Sequence, residues 1–309
     1  MPLSPRLRWK LDRFREKFSG IFGGSKEPGR PRLCPACGTL VGATANRCHQ
    51  CGASMTFSLA AASRSLEKLM PTTSPVTYAI LSVSCLLYMV TLLATMRSTG
   101  LQPPAGGGMG ALFNLGGING DVLLRFGASL PLPYNLLQPW RFVMAVFLHG
   151  SLMHIAFNMW VLMDVGPTIE ELYGSARFFF IYVVTGIGGY LLSSTFAHGI
   201  SIGGSGALLG LIGVLLAITM GRRSASLQML RGQLIRWLIY IGVFGLLFPG
   251  IDNLAHLGGF ITGFALGKIM MDRPPVAPEE RKQAYLLGWG SVFVVVLSFA
   301  MAAMQALHH

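Results

Sequence analysis

The sequence predicts an all-α polytopic membrane protein of seven transmembrane helices, with a small cysteine-bearing cytoplasmic module in front. Three observations carry that prediction. The first is composition: 52% of the 309 residues are hydrophobic and 12% are charged, and mean hydropathy is +0.56, which is too apolar and charge-poor for a soluble domain of this size. The second is a set of apolar windows at 75–96, 152–168, 176–197, 205–220, 234–249, 253–271 and 285–306, each near the length a helix needs to cross a bilayer. The third is charge asymmetry. With the N-terminus in the cytosol, 21 of the 24 Lys and Arg fall on the cytosolic side and only Arg97, Arg125 and Arg141 lie elsewhere, the bias that orients membrane helices.

The net charge of +12 therefore reads as topology and affinity for anionic lipid. Nucleic-acid binding is not expected, because no basic face with interleaved aromatics occurs outside the N-terminal tail. Residues 1–33 are basic and broken by Gly and Pro, without the apolar core of a signal peptide, so the first hydrophobic segment is expected to direct insertion. The expected location is multi-pass in a bacterial inner (plasma) membrane.

Within residues 1–33, Leu7, Leu11, Phe14, Phe18 and Ile21 recur at spacings of four and three, with Arg6, Arg8, Lys10, Arg13, Arg15 and Lys17 between them. That pattern is a basic amphipathic helix suited to an anionic leaflet, and it equally suits a solvated helix packing on the next module. Residues 34–54 hold Cys34, Cys37, Cys48 and Cys51 as two C-x2-C pairs ten residues apart, each pair followed by glycine. Four thiolates on two such knuckles can close a tetrahedron round one Zn2+, so this segment resembles a zinc ribbon. A disulfide framework is the alternative, and a reducing cytosol disfavours it. Four thiolates leave no open coordination position, so the zinc is expected to be structural. His49 is a spare neighbour, and Cys85, inside the first membrane segment, reads as a small buried hydrophobe. Residues 55–74 read as a linker, 75–271 as the membrane domain, and 272–309 as a cytoplasmic loop with the extra transmembrane helix.

Residues 97–139, with "PPAGGGMG" and "LPLPYN", form a long extracytoplasmic loop, a length that tends to serve function. Polar side chains at membrane depth are costly and need a reason. His154, Asn158, Ser205 and His256 fall on the extracytoplasmic side of three different segments under this topology. Singly, each has a structural reading as a cap, a satisfied histidine or interhelical glue; as a set they suggest a site. Ser205 is a candidate nucleophile if His256 can take its proton. Gly206, Gly210 and Gly213, opposite Gly259, Gly263 and Gly267, would let their two helices approach closely. A serine at a helix N-terminus also points unsatisfied amides toward a forming oxyanion, and His154 and Asn158, four apart on one helical face, could add donors.

These pieces resemble the rhomboid family of intramembrane serine proteases. The matching stretches are "WR" at Trp140 and Arg141, "HGSLMHIAFN" from His149 to Asn158, "EELYGS" from Glu170, "GGSG" from Gly203 and "AHLGGFITG" from Ala255, in family order across most of residues 75–271. The resemblance implies a rhomboid-like six-helix core. It also implies a Ser205–His256 catalytic dyad without an acidic third member, and His154 and Asn158 as oxyanion donors beside the Ser205 amide. No catalytic cofactor is implied. The seventh helix resembles the six-plus-one arrangement of part of the family.

The implied activity is endoproteolysis of transmembrane protein substrates in or near the bilayer, with a possible cytoplasmic protein partner for the zinc ribbon. The alternative is a catalytically silent relative that binds membrane clients as an adaptor. A transporter would need charged or broken helices at the midplane, and none is evident. Four residues after Ser205 the family usually carries Tyr or Phe against the catalytic histidine; here the residue is Leu209. Asp252, four before His256, reads as a helix cap, Asp164 and Glu170 as structural, His198 as a surface residue, and His149 as an anchor of the first loop.

Overall fold

The computed structural model describes residues 31–34, 39–50, 52, 54–55, 74–99, 114–196, 199–220, 224–248, 250–270 and 272–308. The amphipathic segment, most of the linker, Cys37, Cys51 and His198 lie outside the described residues.

The N-terminal module is a two-stranded antiparallel hairpin of β1 (Arg32–Leu33) and β2 (Leu40–Val41), with Arg32 opposite Val41. The Cys34 amide donates to Thr39 O at 2.7 Å, and the Gly52 amide donates to Cys48 O at 2.9 Å. Cys34 and Cys48 are buried in one small cluster with Val41 and Met55. Among the described residues, no group of three or more His, Cys, Asp or Glu could hold a metal.

Ten helices follow among the described residues: α1 (Pro75–Thr99), α2 (Gly120–Arg125), α3 (Leu132–Leu137), α4 (Arg141–Phe147), α5 (Leu152–Tyr173), α6 (Ser175–Phe196), α7 (Ser205–Thr219), α8 (Ala225–Leu247), α9 (Asn253–Ile269) and α10 (Pro278–His308). Each expected apolar window coincides with a helix, though α8 begins nine residues earlier than its window. The Ser224 hydroxyl accepts from the Leu227 amide and caps α8 there, a start that a hydropathy window misses because the first turns are polar.

By length and composition, α1, α6, α8 and α10 can each cross a membrane, and α4 with α5 adds a fifth as a pair bent by 91°. The central α7 has 15 residues and α9 has 17, shorter than the expected windows. The two nevertheless form the packing centre. A Cβ on Gly259 would fall on Gly206 O, and one on Gly263 on Gly210 O, so the backbones of α7 and α9 meet without side chains between them. Gly189 of α6 approaches the Ala255 backbone in the same way, and Gly188 makes room for the Thr262 side chain. The chain is thus an integral membrane protein built on a tight α6–α9–α7 layer. α10 packs on α4 through Phe299 on Phe147, ring centroids 5.5 Å apart, and meets the start of the layer where Gly288 lies against Ala176 of α6.

Before the layer come the short helices α2 and α3 and the wholly buried α4. Arg141 is buried and donates to Leu124 O at 2.9 Å and Ala128 O at 3.0 Å, so one guanidinium closes the loop that precedes the bent pair. The Ile118 amide donates to Gly150 O and the Leu152 amide to Leu115 O, each at 2.9 Å, tying that loop to the turn from α4 into α5.

Candidate active site

Ser205 opens α7 directly after Gly204, whose backbone is already helical and which supplies no side-chain cap. Its N–H and those of the following residues head the helix, where no intrahelical acceptor exists. His256 lies in the first turn of α9, whose N-cap is Asp252. The close α7–α9 packing brings His256 Nε2 to 2.8 Å from Ser205 Oγ. Both side chains are half-buried.

The other two residues expected at the site converge on the same few atoms. A Cβ on Gly203 would stand 2.5 Å from His154 Nε2. Gly203 also has φ +119°, so both the space and the backbone angle demand glycine there. The Gly150 amide approaches His154 Nδ1 at 3.5 Å. An accepting Nδ1 leaves Nε2 as the protonated nitrogen of a neutral imidazole, a donor facing the turn before Ser205. Asn158 is buried, donates from Nδ2 to His154 O at 2.8 Å, and sets Oδ1 3.7 Å from a Cβ position on Gly204. His149 Nδ1 donates to Phe147 O at 3.2 Å, a local contact at the end of α4 rather than the anchor of the first loop expected of it.

Two side chains at this site escaped the sequence reading. Tyr190 of α6 donates to Gly203 O at 2.6 Å and lies 3.1 Å from Ala145 O, pinning the turn before Ser205 to the end of α4. Tyr182, one face and two turns earlier, stands 3.0 Å from a Cβ position on Gly204. Arg141 secures the preceding loop as described above. The available signal was a pair of tyrosines eight apart in an otherwise apolar helix, positions that share a face. Leu209, where the resemblance implies an aromatic ring, is buried in the core. Asp164 accepts from Gln233 Nε2 at 2.7 Å and Trp237 Nε1 at 2.6 Å, and Glu170 accepts from the start of α1, so both serve structure at a distance from Ser205.

Fold and site together define a helical membrane protein in which a serine at one helix start meets a histidine at another. Residues 136–273, which contain the whole constellation, match the family model described as Rhomboid domain. The chain is 36% identical over 155 residues to RHOMBOID-like protein 6, mitochondrial, of Arabidopsis thaliana, covering 49% of this chain and 50% of that protein. It is 36% identical over 151 residues to Rhomboid protease GluP of Bacillus subtilis, covering 49% of this chain and 30% of the relative. To Rhomboid-like protease 1 of Toxoplasma gondii it is 32% identical over 193 residues, covering 59% and 62%. These similarities support the rhomboid family, and the chain spans less than two thirds of each of these relatives' own lengths.

Proposed function

We propose that this chain is an intramembrane serine endopeptidase that cleaves transmembrane protein substrates, with Ser205 as nucleophile and His256 as general base. The observation that carries the proposal is the 2.8 Å contact between Ser205 Oγ and His256 Nε2, which is hydrogen-bond reach for proton transfer. As Oγ attacks a peptide carbonyl, the hydroxyl proton passes to His256 Nε2. The new oxyanion forms beside the Ser205 N–H, with His154 and Asn158 as its side-chain donors; before reaction one Asn158 Nδ2 hydrogen is held by His154 O and the other is left to donate. Donors set in place before reaction need no reorganisation as charge develops. His256 then gives its proton to the leaving amine, and water, activated by the same histidine, releases the acyl product. A helical carbonyl is already hydrogen-bonded, so a substrate segment must unwind at the cut, which favours helix-destabilising residues there. A silent client-binding protein has no need for serine and histidine at this distance, so the geometry favours the enzyme.

The same reading assigns a structural Zn2+ to Cys34, Cys37, Cys48 and Cys51, giving the N-terminal module a metal-tied core that could present a surface to a cytoplasmic protein. What supports the reading is that, among the described residues, Cys34 and Cys48 are both buried in one cluster, and that so small a module needs a staple. The membrane is assigned as a bacterial inner membrane, with the N-terminus cytosolic.

One experiment addresses both assignments: labelling of the detergent-purified chain by a fluorophosphonate, with and without prior zinc chelation, beside Ser205→Ala and His256→Ala. Labelling of the wild type that is lost in both variants is expected, together with release of one zinc per chain on chelation and unchanged labelling afterwards. A folded wild type that fails to label would overturn the protease assignment. A preparation without stoichiometric zinc would overturn the metal assignment.

A further inference from the structure

We propose that Asp252 is a positioning residue for the Ser205–His256 pair, acting through Ser201; the inference rests on the protease reading above. Its carboxylate is a junction of three elements. Oδ1 accepts from the Ala255 amide at 2.9 Å and so caps α9, while Oδ2 accepts from the hydroxyls of Ser193 on α6 and Ser201 in the turn before α7. Both serines are almost wholly buried.

The spacing gives the junction its consequence. Ser201 precedes Ser205 by four residues and Asp252 precedes His256 by four, so the Ser201–Asp252 and Ser205–His256 bonds each join residues 51 apart in sequence. They are two rungs between the same two chain segments. The first rung is held rigid from outside. Ser201 pairs through its backbone with Ser129, the two exchanging bonds of 2.9 and 3.0 Å, and the Ser129 hydroxyl accepts from Asn135 Nδ2 at 2.9 Å. On the α9 side, the Asp252 carbonyl accepts the His256 amide at 3.1 Å. A displacement at the Asp252 rung therefore rotates the first turn of α9 against the turn that delivers Ser205. Asp252 is joined to Ser205 through this frame, and its side chain bonds neither reacting atom.

The test uses the full chain in detergent and a fluorophosphonate probe, measuring the maximal labelling rate and the half-saturating probe concentration separately. Asp252→Ala is expected to lower the maximal rate by roughly a hundredfold, the size a small misplacement costs, with the half-saturating concentration unchanged. Ser201→Ala should show a smaller loss of the same kind, and adding it to Asp252→Ala should cost nothing further, because both act through one rung. Asp252→Asn should restore most of the rate, since its Oδ1 still caps Ala255 while its amide can donate to the serine hydroxyls. Wild-type labelling rates in Asp252→Ala overturn the inference, as do losses that multiply in the double variant. Where Asp252→Ala fails to fold, an unchanged maximal rate in Ser201→Ala overturns it instead. An unlabelled wild type overturns the protease reading itself, and this inference with it.

Discussion

Glu170 shows how a single buried carboxylate can hold a membrane protein together without a cationic partner. It accepts from the amides of Val76 at 2.9 Å and Thr77 at 2.8 Å, and from the hydroxyls of Thr77 at 2.8 Å and Ser175 at 2.7 Å. The first two are head-of-helix donors of α1, so Glu170 caps that helix from 94 residues away, where its negative charge also complements the helix dipole. Charge-assisted bonds of this kind are individually strong, and their loss leaves buried amides unpaired. Glu170→Ala should therefore destabilise the protein by about 3 kcal/mol, and Glu170→Gln, which keeps one acceptor, by clearly less. Thermal unfolding in detergent measures both; a Glu170→Gln midpoint equal to the wild type would mean that the carboxylate charge contributes nothing, and one equal to Glu170→Ala that the neutral acceptor contributes nothing. The same residue marks a limit of the sequence. An acidic side chain at a helix end announces a structural role, but which distant helix it caps depends on how α5 packs on α1, and no local pattern encodes that.

At the scale of elements, the site exists because α7 and α9 touch backbone to backbone. Gly263 is the cleanest probe, since a Cβ there would meet Gly210 O, a backbone atom that cannot rotate away. Gly263→Ala should push the helices apart and cost about 2 kcal/mol as overpacking, with a matching loss of fluorophosphonate labelling as His256 retreats from Ser205. Gly242 of α8 is the contrast, because a Cβ there meets nothing within 4 Å. Gly242→Ala should leave labelling intact and raise stability slightly, by up to about 1 kcal/mol, through helix propensity. Identical effects at the two positions would refute the account of the packing. Much of this level was legible in advance. The small-residue spacing on the segments of Ser205 and His256 pointed to their close approach, and the four expected site residues do converge around Gly203 to Ser205. The tyrosine clamp from α6 and the Ser201–Asp252 rung were not legible. Each uses a hydroxyl or carboxylate with a sufficient local explanation, a polar group in a helix or a helix cap, and only the three-dimensional frame gives it a second partner.

For the molecule as a whole, the number of crossings depends on the two helices below full span length, α9 with 17 residues and the still shorter α7. At 15 residues it is ~22 Å long, against a hydrocarbon core of about 30 Å, whereas its 22-residue neighbour α6 reaches ~33 Å. A helix this short can still connect the two faces if its N-terminus stops below the rim of its longer neighbours and the bilayer thins locally. That arrangement would set Ser205 in a depression which water enters from one side, as hydrolysis of a membrane segment requires. A seven-crossing topology then puts residue 199, before α7, and residue 222, after it, on opposite faces of the membrane. Introducing Gly199→Cys and Arg222→Cys separately and treating intact cells with a membrane-impermeant maleimide distinguishes the cases. Cys85 lies within α1, and with Cys34, Cys37, Cys48 and Cys51 replaced by alanine in both variants the introduced thiol is the one read before and after permeabilisation. Residue 199 should react in intact cells and residue 222 only after permeabilisation. Reaction of both from the same face would make α7 a re-entrant element, and a water-filled approach to Ser205 from outside the cell would no longer follow.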